Sequence, residues 1–450
     1  MTLPATLALL LPPTVWVVDD NGGPGVNFTD IPPAIAAAAD GDVLVVRSGI
    51  YTRFTLTGKG LRILGENSAT TIVSLTPPPL MVSPTVIADI PATSIVYLER
   101  LTFFGSNASW NYANNRVEVT GSTTRVVFND VVVVGSSPLT TPPYFFDGAV
   151  LVDAAEAHLF NCSIVGALGG GGPIPGAPGL DLKNGARVHV ASSSITGGRG
   201  WSLGSIGTTF PPSPGGSGIK ASSSAGAASW VWVTDSTVRG GEGGVNFVVN
   251  QGASGGAGIL VNASHVRVSG YSSSLVRGGD EGSLLMGSYS PFGVGGPGIQ
   301  SSGASTVDVH SVSVLGGNGS QPGPAITGPG ITLNEPALPV LHLGGMLTLN
   351  GSATIQLSNG PAGAPFAIAI GTEPAYFGIP GPFLGEFLIG PLPLVPFLLG
   401  ALSPGGAFGL TLPLVLPPSL AYSEFHLQGA ALDSNGAWRL SNAVATVLRP

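Results

Sequence analysis

The stretch that decides the fold is residues 187–197, RVHVASSSITG, because close variants of it recur along the chain. Residues 230–240 read WVWVTDSTVRG and residues 306–316 read TVDVHSVSVLG. Each copy has alternating valines, a short polar turn, a second short segment centred on Ile or Val, and a closing glycine. Period-two alternation places the valines on one face of a β-strand and the intervening residues on the other. Four further copies extend the pattern: residues 95–105, 125–135, 156–166 and 265–278.

The copies are spaced as the coils of a solenoid would be. Their closing glycines lie about 30 to 40 residues apart, and a second strand is expected after Gly179, Gly218, Gly258, Gly298 and Gly330. A propeller blade would need four hairpin-linked strands, and the hairpin signals are missing. A calcium roll would need an Asp-bearing glycine repeat every nine residues, whereas the Gly-Gly pairs come once per unit. The spacing therefore predicts an all-β parallel solenoid, in which each coil covers the edge of the one before it.

The amino-acid composition excludes several classes of function and of site. The 450 residues include 69 Gly and 40 Pro, only 9% are charged, and the formal net charge is -8. With 16 basic against 24 acidic side chains, the chain lacks the positive surface that nucleic-acid binding requires. The single cysteine, Cys162, excludes a disulfide framework and a cysteine zinc site. No phosphate loop or dinucleotide motif is present, so we expect no cofactor and no metal.

The residues before the first repeat carry a resemblance. Residues 28–51 read FTDIPPAIAAAADGDVLVVRSGIY and residues 54–66 read FTLTGKGLRILGE. They resemble the N-terminal cap and first coil of secreted right-handed parallel β-helix proteins of the pectin-lyase-like superfamily. The resemblance implies a right-handed coil whose apolar interior is plugged by a short Ala-rich helix at residues 33–39. Because many such β-helices are not enzymes, it implies little about activity.

Three segments follow from these patterns. Residues 1–14 contain an apolar run at 7–11 and are expected to be the remnant of a signal peptide or an apolar tail, which favours secretion or a cell-surface location. Residues 15–342 form the β-helix with its cap. Residues 343–450, rich in Pro-bounded apolar strands, are expected to form a β-sandwich of about seven strands that caps the solenoid. Residues 383–402 are long enough to span a membrane, but Glu386 and three prolines argue against it.

Counting back from each closing glycine predicts which residues point outward from one sheet. We define three rows along this face, with neighbours in a row about 4.8 Å apart. The first row is Ile95, Arg125, Glu156, Arg187, Trp230, His265 and Thr306. The middle row is Tyr97, Val127, His158, His189, Trp232, Arg267 and Asp308. The third row is Glu99, Asn129, Phe160, Ala191, Thr234, Ser269 and His310.

The residue types on this face predict that it binds carbohydrate and that the protein is exported and non-catalytic. Exposed indoles stack against sugar rings, while imidazoles, guanidinium groups and carboxylates hydrogen-bond sugar hydroxyls. The expected ligand is a polysaccharide or cell-surface glycan. The binding residues would be His158, His189, Trp230, Trp232, His265, Arg267, Asp308 and His310. The opposing interpretation is that such rows only stabilise the sheet by cross-strand pairing.

Two alternatives remain open. One is a polysaccharide lyase or glycoside hydrolase on the same face, with Glu156 as acid or base, His189 beside it, and Arg187 for a substrate carboxylate. The other is an adhesin or assembly module that uses four Gly-rich loops leaving one corner of successive coils. The glycines of those loops are expected either to build a binding surface or to supply positive φ. The loops span residues 198–217, 241–257, 279–297 and 317–329.

Overall fold

The computed structural model describes most of the chain. The described residues are 13–74, 84–104, 117–135, 148–169, 174–202, 211–223, 226–246, 251–270, 274–282, 293–333, 337–344, 347–377, 383–385, 387–390 and 395–450. The expected signal remnant at residues 1–14 falls almost entirely outside these ranges.

Three long parallel sheets organise the described part of residues 13–333, and their strands follow one another in turn along the chain. Sheet one consists of Val15–Val18, Val43–Val46, Arg62–Gly65, Val96–Glu99, Arg125–Asn129, Glu156–Phe160, Arg187–Ala191, Trp230–Thr234, His265–Ser269, Thr306–His310 and Ile331–Leu333. Sheet two consists of Thr55–Thr57, Thr85–Ala88, Val117–Thr120, Val150–Asp153, Leu180–Lys183, Ile219–Ser222, Ile259–Asn262, Ile299–Ser302 and Ile326–Thr327. Sheet three consists of Gly49–Thr52, Thr71–Ser74, Thr102–Phe104, Val132–Val134, Ser163–Val165, Ser194–Thr196, Thr237–Arg239, Leu275–Arg277 and Ser313–Leu315.

These sheets enclose one continuous apolar interior, which confirms the parallel β-helix. The alternating valines of successive coils, such as Val188, Val231 and Val266, lie in register and are buried in the same core cluster. Each coil therefore buries the apolar face of its neighbour. The helix that plugs the start of this interior is Ile31–Ala37, two residues earlier than expected. Asp30 caps it by accepting a hydrogen bond from the Ile31 amide at 2.8 Å.

One predicted strand lies in a different sheet. Residues 331–333 were expected to begin a new coil in sheet two, as residues 299–301 do. Instead, Ile331 pairs with Val307 in sheet one, and Ile326 takes the place beside Ile299 in sheet two. The prediction was wrong because the last coil is shorter than the others, so the Gly-Ile signal at Gly330 marks a later strand of the coil.

The glycine-rich corner is a packed layer of backbone. Segments that leave sheet three hydrogen-bond to segments that approach sheet two, through N–H···O distances of 2.7–2.8 Å. One such column runs through Ala177, Gly198, Gly216, Gly241, Gly256, Gly279, Gly296 and Gly317. These glycines are not among the described positive-φ residues, so the positive-φ expectation was wrong for them. They are glycine because a Cβ on Gly241 would lie 1.9 Å from the Gly198 carbonyl oxygen.

The C-terminal part is an antiparallel β region with more strands than the seven expected. A three-stranded sheet contains Val340–Gly344, Ser352–Ser358 and Phe408–Pro413. A five-stranded sheet contains Phe383–Leu384, Trp438–Val447, Glu424–Leu432, Pro365–Gly371 and Val395–Ala401. Two smaller elements are the strand pair Pro374–Phe377 with Phe387–Ile389 and the 3₁₀ turn Pro418–Leu420. The two larger sheets share an apolar core that includes Leu341, Leu357, Phe366, Ile368 and Leu427.

This C-terminal region lies along the face of sheet one, so the expectation that it only caps the solenoid was wrong. Ala445 and Val447 pack in one buried cluster with Tyr97, Val127 and Phe160 of sheet one. Polar contacts between the two parts occur at several coils: Arg449–Glu99 at 2.8 Å, Arg125–Glu373 at 3.3 Å, Asn129 Nδ2 to the Ala445 carbonyl at 3.5 Å, and His342–Asp235 at 3.4 Å. The apolar outward residues of the early coils are covered in this way.

No helix within the described residues is long and apolar enough to cross a membrane. The described parts of residues 383–402 are short strands.

Candidate functional site

The outward face of sheet one has the register that counting predicted. In the first row Glu156 pairs with Arg187, Arg187 with Trp230, and Trp230 with His265. In the middle row His158 pairs with His189, His189 with Trp232, and then come Arg267 and Asp308. The third row places His310 beside Ser269. The candidate residues therefore lie on neighbouring strands of one face.

Exposure divides this face into two parts. His158 and His189 are fully buried, and Trp232 and His310 are each 8% exposed. The expectation of an open surface was wrong for these four residues. For His158 the cover comes from the C-terminal region, whose His426 lies within electrostatic reach of it. Arg187 and Trp230 remain exposed, whereas His265, Arg267 and Asp308 are half-buried.

The exposed part is a short aromatic surface in the first row, which we call the Trp230 shelf: Arg187, Trp230, His265 and Thr306. The Trp230 side chain is 39% exposed. Its indole stacks on the His265 imidazole with ring centroids 4.0 Å apart, and on Trp232 with centroids 5.8 Å apart. His265 Nδ1 is hydrogen-bonded to the Thr306 hydroxyl, which holds the imidazole in place. The shelf therefore presents a fixed aromatic group with polar hydrogen-bonding neighbours.

A crevice lies between the middle and third rows of sheet one and the C-terminal region. On one side it is lined by Trp232, Thr234, Arg267 and Ser269, and on the other by Leu338, Gly385, Leu388, Leu440, Ser441 and Asn442. Arg267 Nη2 lies 3.7 Å from Asp308 Oδ2, so the basic and acidic groups of the middle row face each other across adjacent strands. The residues on the sheet-one side were predicted from the sequence, and those on the opposite side were not.

The predicted catalytic residues lie together but in unequal environments. The Glu156 carboxylate is hydrogen-bonded to the His158 imidazole, with Oε1 and Nε2 2.9 Å apart. His189 has no hydrogen bond to either ring nitrogen within the described residues, and its ring packs edge-on against Phe160 at 5.6 Å. Burial lowers the pKa of His189 well below its usual value, and the neighbouring His158 lowers it further. A catalytic role for Glu156, Arg187 and His189 remains a prediction.

Two ionisable residues that face this buried part were not predicted from the sequence. On strand Glu424–Leu432, Glu424 Oε1 and His426 Nε2 are 2.6 Å apart, and both residues are buried. The arrangement repeats that of Glu156 and His158, again with one residue between the pair. The shared Glu-x-His spacing was the available signal, since alternate residues of a strand point to the same side.

A second set of charges lies on sheet two. Asp153 pairs in register with Lys183, and Asp181 with Lys220. The Asp181 carboxylate lies 3.5 Å from the Lys183 ammonium and 3.7 Å from that of Lys220. Lys183 belongs to the same strand as Asp181, whereas the contact with Lys220 joins adjacent coils, which favours a structural role.

No known protein family and no curated protein matches the chain. Among solved structures, the chain is similar to the enzymatically active domain of bacteriophage CBA120 tailspike protein 2, at 10% identity and a TM-score of 0.29, over 90% of this chain and 72% of that chain. It is also similar to full-length tailspike protein 2 from Escherichia coli O157:H7 bacteriophage CAB120, at 11% identity and a TM-score of 0.25, over 90% of this chain and 64% of that chain.

Proposed function

We propose that this protein binds polysaccharide through the Trp230 shelf and acts as an exported surface or matrix protein without catalysis. The observation that carries the proposal is the 39% exposure of Trp230 on a rigid strand, where it is stacked on His265. A sugar ring placed on this indole would bury apolar C–H groups, and its hydroxyls would meet Arg187, His265 and Thr306.

The surroundings of the Trp230 shelf favour a neutral carbohydrate over a charged ligand. Only 9% of the chain is charged, and Arg267 and Asp308 of the adjacent row are paired with each other. Neutral sugars are recognised by stacking and hydrogen bonds, which this surface supplies. Because each strand is held on both sides by its neighbours, the shelf loses little conformational entropy when a ligand binds.

The test is retention on insoluble polysaccharides for the parent protein and for Trp230→Ala. We expect the substitution to weaken retention about tenfold, since the loss of one aromatic stack costs about 1.4 kcal/mol. Trp232 is left unchanged because it is buried and its removal would disturb packing. The melting temperature should change little, because the lost side chain is partly exposed.

Phe104→Ala is the matched control, since Phe104 is an aromatic residue of similar exposure, 38%, on sheet three. It should leave retention unchanged. Equal losses in the two variants would overturn the proposal. So would no retention of the parent on a panel that includes neutral insoluble polysaccharides, such as cellulose and chitin, alongside pectin, alginate and glycosaminoglycans.

The catalytic alternative has a separate test on the same glycans. Reducing sugars or unsaturated products that disappear in Glu156→Gln would make the protein a hydrolase or lyase. Absence of products alongside retention would support binding alone.

Export is part of the proposal and rests on the apolar run at residues 7–11. Detection of the protein in culture supernatant or on intact cells would support it, whereas confinement to the cell interior would contradict it.

A further inference from the structure

The interface between sheet one and the C-terminal region contains three fully buried histidines. His158 and His189 lie on adjacent strands of sheet one, with ring centroids 6.1 Å apart. His426 lies on strand Glu424–Leu432 of the C-terminal region. All three side chains are 0% exposed. Half of the six histidines of this chain therefore lie in a dry environment that exists only while the two parts are docked.

Two of these three histidines are each paired with a carboxylate, whereas His189 is not paired with one among the described residues. His158 is paired with Glu156 at 2.9 Å, and His426 with Glu424 at 2.6 Å. His189 contacts His158 and Phe160, and neither of its ring nitrogens is hydrogen-bonded within the described residues. Other ionisable groups that the described residues place at this interface include Arg62, Tyr97, Glu99, Arg125 and Asp235 on the β-helix side, and His342, Glu373, Tyr422 and Arg449 from the C-terminal region, with His342 3.4 Å from Asp235.

Burial makes the charged forms of His158 and His189 unfavourable. It lowers the pKa of His158, which nearby His426 and Arg125 lower further, although Glu156 partly offsets this. It lowers the pKa of His189 well below 6.5. Protonating both residues would place two positive charges about one strand spacing apart without water.

We propose that acid releases the C-terminal region from sheet one, because docking encloses His189 and His158 in their neutral forms. The two histidines bind protons more readily in the undocked state, where their ordinary pKa of about 6.5 applies. Docking is therefore fully stable above that pH and weakens as the pH falls below it. Release would uncover the first and middle rows from Glu156 and His158 to the Trp230 shelf, and it does not depend on what the shelf binds.

The experiment measures the radius of gyration of the full chain by small-angle X-ray scattering between pH 7.5 and 4.5, with circular dichroism of the same samples. We expect expansion below about pH 6 while the β-sheet signal is retained, since the β-helix interior contains none of these histidines. His189→Phe removes the titrating group and keeps a ring beside Phe160. It should move the midpoint of expansion down by about half a pH unit or more.

His265→Phe is the matched control, because it removes a half-buried histidine from the same sheet outside the interface, and it should leave the midpoint unchanged. If His189→Phe does not fold, His189→Leu supplies the same test. An unchanged radius down to pH 4.5, equal shifts in the two variants, or loss of the circular dichroism signal together with expansion would overturn the proposal.

Discussion

A single hydrogen atom as side chain decides how the corner of each coil is built. At Gly241 the backbone N–H donates to the Gly216 carbonyl at 2.7 Å, while the Gly198 carbonyl lies against the Cα. Any larger residue would push these segments apart. The abundance of glycine therefore reflects close backbone packing across coils, since the positions in this column do not adopt positive φ.

We expect Gly241→Ala to lower the free energy of unfolding by about 3 kcal/mol, because the added methyl group meets backbone atoms that have no free space to move into. Urea denaturation measures the loss. Gly405→Ala is the control: its Cβ would meet only the Ser403 hydroxyl at 3.7 Å, so its unfolding energy should stay close to that of the parent. Similar behaviour of the two variants would contradict the packing explanation.

At the scale of elements, the final strand determines which part of the face is covered. Strand Trp438–Val447 brings Ala445 and Val447 onto Tyr97 and Phe160, and the chain then places Arg449 against the buried carboxylate of Glu99. Tyr97 and Phe160 point away from the solenoid interior and are apolar, so they needed a cover. These apolar outward residues were visible in the sequence. They were an unused signal that another part of the chain packs against the early coils.

Arg449→Ala should therefore destabilise the docked region by about 3 kcal/mol, since it leaves a carboxylate that is 4% exposed without its closest partner. Arg100, 3.7 Å from Glu99, compensates only in part. Thermal unfolding measures the effect. Arg199→Ala breaks the pair with Glu242, in which both side chains are largely exposed, and should cost at most about 1 kcal/mol. A cost for Arg449→Ala no greater than that would refute the role of the ion pair.

Across the whole molecule, the β-helix interior is one apolar column that runs from Val18 to Val309. Each coil is stabilised mainly by its two neighbours, as in other solenoids. Cys162 lies inside this column in a middle coil and is 3% exposed. Burial raises the pKa of its thiol to about 12, so almost no thiolate is present near neutral pH.

Alkylation of Cys162 should consequently report unfolding of the coil itself. At pH 8 we expect no adduct by mass spectrometry in the native protein, and complete labelling in urea beyond the unfolding midpoint. The thiol pKa returns toward its ordinary value once the coil opens, which makes the two conditions easy to distinguish. Rapid labelling of the native protein would show that the central coils open without global unfolding.

The recurring copies of residues 187–197 determined the β-helix and its register, because coils related by a repeat place equivalent residues on neighbouring strands. Pairs such as His189 and Trp232 could therefore be counted from the closing glycines. Solvent exposure could not be counted in the same way. Only the tertiary structure decided that His158 and His189 are enclosed while Trp230 stays exposed. The strands that cover the two histidines are distant in the chain. They dock through shape and apolar area, which no local periodicity in the sequence records.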